Sequence, residues 1–161
     1  MRSMVLAFVA IVMLNVTMAQ AIDPVFATRL AIDGYDPVAY FTESKPVRGS
    51  PEFEFEWKGA KWFFASAENR SRFVQSPLSF APQYGGYCAY AVSRGRVAGI
   101  RPEAWSIADG KLYLNFNLKI RSRWEADRDN MIRQADENWP GILGGKTDPT
   151  PSPDSSSGKQ S

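Results

Sequence analysis

Alternating polar and apolar positions in two parts of the chain predict two β-hairpins. Over 52–57, three aromatic residues alternate with three glutamates, which is the period of a strand with one buried face. After a turn, a second strand is predicted over 61–65. Residues 105–108 and 111–116 flank Asp109-Gly110, and Asp-Gly between alternating apolar positions is a strong hairpin signal. We therefore expect a small antiparallel sheet built from hairpins.

Helical spacing follows each predicted hairpin. Ser66 can cap a helix that runs to about Ser76. Asn117 can cap a long helix that Pro140-Gly141 ends. The apolar face of this long helix consists of Ile120, Trp124, Met131, Ile132, Ala135 and Trp139. The whole pattern predicts an α+β fold in which a small antiparallel sheet of hairpins packs against a short helix and a long C-terminal amphipathic helix.

The amino-terminal residues predict a cleaved signal peptide over 1–21. Val5–Leu14 is an apolar run, and Ala19-Gln20-Ala21 has the small-x-small pattern of a signal-peptidase site. The alternative, a membrane-spanning helix, needs about 20 apolar residues, and Asn15 interrupts this run. We expect the mature chain to begin at Ile22 and to be exported, either to a periplasm or outside the cell.

The remaining sequence has room for one ordinary domain, which we place at 22–143. The chain is 44% hydrophobic and 13% aromatic, which suits a packed core. Residues 144–161 are rich in Gly, Pro, Ser and Thr, so we expect a disordered tail there. The formal net charge of +2 is too small for a protein that binds nucleic acid. Nothing after the leader is long enough to span a membrane, and no repeat of solenoid period is apparent.

The histidine and cysteine counts exclude several chemistries. The chain has no histidine and one cysteine, Cys88, so neither a Ser-His-Asp triad nor a Cys-His pair can form. The counts also argue against a zinc site within one chain, because zinc is normally held by several Cys or His ligands. Cys88 is either a small buried apolar residue or a thiol that reacts or pairs with another chain. Asp36 and Asp109 remain as candidate acids of an enzyme, with helix cap and turn residue as their simpler roles.

Residues 79–92 combine glycines with polar aromatic residues. The stretch fits either a strand or a helix that Gly95 ends, and we favour the helix because Tyr84, Tyr87 and Ala91 recur at helical spacing. Tyrosine offers a stacking face and a hydroxyl group, and Gly85-Gly86 gives the backbone unusual freedom. Core packing is the alternative role for these aromatic rings. The candidate ligand-binding residues are Tyr84, Gly85, Gly86, Tyr87, Cys88 and Tyr90, together with Tyr35 and Asp36.

Four segments of the chain resemble the YHS domain family, in particular its longer exported members. In chain order they are GYDPVAYF at 34–41, WFFAS at 62–66 with Phe73 and Pro77, APQYGGYCA at 81–89 and DGKLYLN at 109–115. The resemblance covers nearly the whole predicted domain. Four separate segments that agree in their order along the chain are more specific than a single short motif.

The resemblance implies little about metal binding. Short YHS and related domains occur with copper-transporting ATPases, and their cysteines follow an Asp-Pro-Val start and lie in a Phe-x-Cys-Ser-x-x-Cys segment. The matching positions here are Ala39, Ala65 and Asn69, and the family's histidine would also fall at Ala65. Ser66 alone is kept, so no thiolate or imidazole metal site is carried over. Cys88 belongs to the Gly-Gly-Tyr-Cys-Ala pattern of the exported members.

Two functional hypotheses follow from the sequence. The first is a non-catalytic module, without a cofactor, that binds an unknown small ligand or partner protein through residues 84–90. The alternative is a periplasmic metal-handling protein that binds copper through Cys88. Met131, or Cys88 of a second chain, would then be a further soft ligand.

Overall fold

The computed structural model describes residues 30–144. The predicted leader and the tail from 145 onward lie outside these residues. No helix within 30–144 has both the length and the apolar character needed to cross a membrane. The helices are α1 (Ala39–Thr42), α2 (Ala67–Gln75), α3 (Pro77–Phe80), α4 (Ala89–Ser93), α5 (Leu118–Glu125) and α6 (Arg128–Leu143), the strands are β1 (Ser50–Trp57), β2 (Ala60–Phe64), β3 (Arg101–Ala108) and β4 (Lys111–Asn115), and two 3-10 turns cover Ala31–Gly34 and Gln83–Gly86.

The predicted α+β class is confirmed, but the hairpins form two sheets and not one. β1 pairs with β2, and β3 pairs with β4, each pair antiparallel and each a separate two-stranded sheet. Lys58-Gly59 and Asp109-Gly110 form the two turns, and all four residues have positive φ. Two-residue hairpin turns of this kind match the twist of the strands that they connect. The local signals therefore fixed each hairpin, whereas the pairing between hairpins that we expected is absent from residues 30–144.

The predicted N-caps of the helices that follow the two hairpins are confirmed. The Ser66 hydroxyl accepts a hydrogen bond from the Asn69 N–H at 3.1 Å, and α2 ends at Gln75. Asn117 Oδ1 accepts from the Ile120 N–H at 2.9 Å at the start of α5. Such caps satisfy amide groups that have no partner within the helix.

The prediction of one long C-terminal helix is wrong. The helix breaks at Asp127, whose φ of −142° and ψ of 42° are not helical. Asp127 Oδ2 accepts a hydrogen bond from Asn130 Nδ2 at 2.7 Å, which satisfies a side chain at the start of the next helix. Pro140 does not end that helix, which continues to Leu143. Pro140 lacks the N–H that would otherwise donate to the carbonyl oxygen four residues earlier, and the helix continues past this one missing hydrogen bond.

The prediction of a helix across 79–92 is also largely wrong. In the second part of the stretch, the helix is limited to Ala89–Ser93, which is α4. Tyr84 and Gly85 have left-handed dihedral angles, with φ of 56° and 60°, inside the 3-10 turn. The next residue, Gly86, has a φ of 79°. Consecutive left-handed residues reverse the chain, and glycine makes this possible at two of the three positions.

The two halves of the described chain repeat the same series of elements. Each half contains a 3-10 turn with left-handed residues, a short helix, a hairpin and a side-chain-capped helix. The first series is Ala31–Gly34, α1, β1, β2 and α2, and the second is Gln83–Gly86, α4, β3, β4 and α5. Both hairpins also have an irregular register at the same place, between Ser50 and Glu54 and between Arg101 and Trp105. Corresponding hairpin residues lie at one constant offset along the chain.

Each half has its own aromatic pair, and Leu112 and Leu114 of β4 also pack into the cluster of the first half. In the first, Trp62 of β2 packs on Phe73 of α2 with ring centroids 4.7 Å apart and planes at 34°. In the second, Tyr113 of β4 packs on Trp124 of α5 at 5.0 Å and 36°. Both pairs occupy corresponding positions of the repeat. The hydrophobic burial that stabilises the fold is thus divided between two clusters, and the candidate site residues are divided with it.

Candidate functional site

Tyr84 belongs mainly to the second core cluster. Its side chain is 6% exposed, and its ring lies 6.0 Å from Tyr113 and 5.7 Å from Trp139. The Tyr84 hydroxyl donates a hydrogen bond to Asp136 Oδ1 at 2.8 Å. Burial, followed by the contact with Asp136, raises the pKa of Tyr84 well above its ordinary value. Tyr84 therefore joins the 3-10 turn to α6 and leaves little of its surface for a ligand.

Gly85 and Gly86 form the turn that presents the next residues. Both are buried, and the Tyr87 N–H closes the turn by donating to the Tyr84 carbonyl oxygen at 3.0 Å. A side chain at Gly86 would be strained by its positive φ, although the nearest atom, Pro82 Cγ, would lie 3.5 Å away. These glycines shape the backbone before α4 begins.

Tyr87 and Tyr90 keep part of their surface exposed. Tyr87 packs beside Trp139 at 6.4 Å between ring centroids. The guanidinium carbon of Arg94 lies 5.4 Å from the centre of the Tyr90 ring, within the range of a cation–π contact. Arg94 is exposed, and the three aromatic residues are half-buried. We call Tyr87, Tyr90, Arg94 and Trp139 the aromatic face.

The helix α4 that carries this face is held firmly against α6. Asn138 Nδ2 donates to the carbonyl oxygens of Val92 and Ser93, both at 3.1 Å. The Ser93 hydroxyl donates to the Tyr90 carbonyl oxygen at 2.8 Å. Sequence reasoning included neither Arg94, which directly follows α4, nor Trp139, which lies far along the chain in α6. The only sequence signal was the position of Trp139 on the apolar side of the last helix.

Tyr35 and Asp36 lie in the first half of the described chain, whereas the other candidate site residues lie in the second half. Tyr35 packs on the first core cluster, with the Arg48 guanidinium carbon 4.8 Å from its ring centre. Asp36 is fully buried. Its Oδ1 accepts from the N–H groups of Val38 at 2.8 Å and Ala39 at 3.4 Å. Asp36 thus binds the N–H groups at the start of α1, although the residue directly before that helix is Val38.

The second carboxylate oxygen of Asp36 connects α1 to the end of the first hairpin. Asp36 Oδ2 accepts from the Ala65 N–H at 2.8 Å and from Asn69 Nδ2 at 2.7 Å. With the two bonds to Oδ1, the carboxylate accepts four hydrogen bonds. Such bonds compensate a buried carboxylate for the water that it loses. Tyr35 and Asp36 are therefore parts of the first core, apart from the aromatic face of the second.

Cys88 directly precedes α4 and has 1% of its surface exposed. Burial raises the pKa of the Cys88 thiol, and the backbone N–H groups of Ala91, Phe116 and Tyr90 act in the opposite direction. The sulfur is 3.7 Å from Asn115 Oδ1. A thiol so deeply buried cannot meet Cys88 of a second chain without opening of the fold.

The copper alternative gains no support from the geometry. Within residues 30–144, no three His, Cys, Asp or Glu side chains lie together as potential ligands for a metal ion. Met131, the other soft ligand of that hypothesis, accepts a hydrogen bond through its sulfur from the Ser93 hydroxyl at 3.2 Å. Copper binding stays a prediction from the sequence.

Comparisons of the chain with protein-family models, curated proteins and solved structures gave no match. The resemblance to the YHS domain family accordingly stays a prediction that rests on the four segments. Function must be argued from the site itself.

Proposed function

We propose that the chain is an exported, non-catalytic binding module that recognises a ligand or partner protein through the aromatic face. The observation that carries this proposal is the exposed Arg94 over the half-buried Tyr90 ring. Arginine, tyrosine and tryptophan are the residues that most often dominate binding energy at protein interfaces. Here Arg94 lies over Tyr90, and Tyr87 lies beside Trp139.

The aromatic face is rigid, which favours binding. Asn138 holds the end of α4 through two hydrogen bonds, and Tyr84 anchors the preceding turn to Asp136. A face that is already ordered loses less conformational entropy when a partner binds. The tyrosine and tryptophan rings offer an apolar stacking surface, whereas Arg94 offers donors for a carboxylate or phosphate. The occupant that fits best has an apolar or aromatic body and one anionic group.

Photo-crosslinking in the exporting cell tests this proposal. A photoreactive phenylalanine analogue would replace Arg96, an exposed residue just after α4, and a control would carry it at Glu68, an exposed residue of α2. We expect a discrete adduct from position 96 and none from position 68. Adding Arg94→Ser should abolish the adduct without changing the melting temperature by more than a few degrees. Equal labelling at both positions, or labelling that survives Arg94→Ser, would contradict the proposal.

The export part of the proposal has its own test. The leader over 1–21 supports export, because its apolar run and small residues fit a signal-peptidase substrate. The intact mass of protein recovered outside the cytoplasm should correspond to a chain that begins at Ile22. A full-length chain that stays in the cytoplasm would contradict export and leave binding by the aromatic face to be judged by the crosslinking alone.

A further inference from the structure

Cys88 and Asp36 occupy corresponding positions in the two halves of the chain. Each follows a left-handed turn and a tyrosine, and each precedes a short helix. The Asp36 N–H donates to the Val47 carbonyl oxygen at 2.8 Å, and the Cys88 N–H donates to the Ala98 carbonyl oxygen at 3.0 Å. Both carbonyls belong to the loop between the short helix and the first strand of the hairpin. The backbone therefore places the two side chains at equivalent positions of the two halves.

The donors around the two side chains also correspond. Asp36 accepts from the N–H groups two and three residues later, and from the N–H of the residue that follows β2. Cys88 Sγ faces the N–H groups of Tyr90 and Ala91, again two and three residues later, and that of Phe116, which follows β4. Three backbone donors thus lie around a carboxylate in the first half and around a sulfur atom in the second, where the Tyr90 N–H donates to Asn115 Oδ1 at 3.2 Å. A neutral thiol is a weak acceptor for so many donors.

Asn115 adds a fourth donor that has no partner. It is fully buried, and its Oδ1 accepts hydrogen bonds from the Cys88 thiol at 3.7 Å and from the Tyr90 N–H at 3.2 Å. Its Nδ2 has no hydrogen-bond partner, which is costly in a buried position. In the first half, Asn69 Nδ2 fills the equivalent role by donating to Asp36 Oδ2. Turning the Asn115 amide over would bring its unpartnered Nδ2 to Cys88 and release the Tyr90 N–H, so both could then donate to an oxygen that the thiol does not carry.

We propose that Cys88 is an oxidation site, at which a peroxide converts the thiol to a sulfinate that the surrounding donors hold as they hold the Asp36 carboxylate. A sulfinate resembles a carboxylate, because one atom bonded to Cβ carries two oxygens that share one negative charge. One oxygen would accept from Tyr90 and Ala91. The other would accept from Phe116 and, after rotation of the amide, from Asn115.

The reaction needs two molecules of hydrogen peroxide. In the first step the thiol sulfur takes one oxygen, giving a sulfenic acid and one water. In the second step the sulfenic acid takes another oxygen, giving a sulfinate, a proton and a second water. No second cysteine exists in the chain, so the sulfenic acid cannot be diverted to an intramolecular disulfide. A third oxygen would find no further donor among those described, so the reaction is expected to stop at the sulfinate.

Peroxide treatment of the purified whole chain tests this proposal. Peptide mass mapping should find two added oxygens on Cys88 while the protein stays folded by circular dichroism. Oxidation should be slow, because the thiolate is the reactive form and burial disfavours it. Asn115→Leu should slow the second oxygen addition several-fold relative to the first. Cys88 that gains no oxygen in the folded protein, or that gains three as readily as two, would overturn the proposal.

Variants at Cys88 test the same site without peroxide. Cys88→Asp places a carboxylate where the sulfinate would lie, and Cys88→Leu is the control of similar size without charge. Because a buried carboxylate is tolerated only where donors hold it, Cys88→Asp should fold and melt at or above the temperature of Cys88→Leu. Failure of Cys88→Asp to fold while Cys88→Leu folds would overturn the proposal.

Discussion

Replacement of Asp36 by alanine should remove the connection that holds the first half together. The carboxylate is fully buried and accepts short hydrogen bonds from Val38, Ala65 and Asn69, with a longer one from Ala39. Asn69 is partly exposed, so its amide can turn to water after the substitution. The backbone N–H groups have no such option.

The expected cost follows from these stranded donors. Each buried donor left without a partner costs about 1–3 kcal/mol. Two short bonds from backbone N–H groups and one long one therefore give a loss of about 4 kcal/mol for Asp36→Ala. A domain of this size is stable by about 5–15 kcal/mol in total, so the variant should fold but only marginally. Asp36→Asn keeps one acceptor oxygen and should lose about half as much.

Urea unfolding at equilibrium measures this loss. The midpoint should fall while the slope of the free energy with urea stays unchanged, because the surface exposed on unfolding is the same. Glu56→Ala, at an exposed position of β1, is the matched control and should change the free energy of unfolding by less than about 0.5 kcal/mol. A loss below about 1 kcal/mol for Asp36→Ala would refute the reasoning, because the donors would then have found other partners.

Two further substitutions test packing and charge. A Cβ atom at Gly49 would lie too close to the Phe63 carbonyl carbon, so Gly49→Ala should lower the free energy of unfolding by about 3 kcal/mol or more. The control is Gly99→Ala, whose added Cβ has no atom within 4 Å. This control should be nearly neutral in the same unfolding assay. Burial raises the pKa of Glu125, but hydrogen bonds from Ser106 and Arg121 outweigh it and hold that pKa below its ordinary value. This stabilisation is present at neutral pH and is lost as the pH falls below about 4.5 through the lowered pKa. The melting temperature of Glu125→Gln should therefore fall less steeply with acid than that of the unchanged chain. An identical fall would contradict a pKa of Glu125 that is lowered by folding.

Local signals in the sequence were sufficient for the hairpins and caps. Asp109-Gly110 needs two consecutive left-handed residues, which its residue types favour. Ser66 and Asn117 bond to amides three residues later, so their role depends only on nearby chain. These features could be predicted because neighbouring residues determine them.

Features set by distant contacts could not be predicted. The spacing of apolar residues along 118–143 fits one helix, yet α5 packs Trp124 on Tyr113 of its own hairpin, whereas α6 packs on α4 through Asn138. The two helices therefore pack on different parts of the fold, and the chain breaks between them at Asp127. The sequence holds no proline or glycine there to mark it.

The repeat was hidden because the halves share the character of their residues more than their identity. Trp62 corresponds to Tyr113, and Phe73 corresponds to Trp124, so aromatic packing is kept with different side chains. The site prediction grouped Tyr35 and Asp36 with residues 84–90, but the structure places them in the corresponding position of the other half. Backbone geometry, which sequence comparison of the halves does not reveal, makes this relation visible.

A crystal structure of the peroxide-treated chain would test most directly the central claim, that both halves are built around the same arrangement of donors. The account predicts two oxygens on Cys88 Sγ, one within hydrogen-bond distance of the Tyr90 and Ala91 N–H groups and the other within that distance of the Phe116 N–H and Asn115 Nδ2. Superposition of the halves should then place these oxygens on those of Asp36. A sulfur without oxygens, or oxygens directed away from these donors, would contradict the claim.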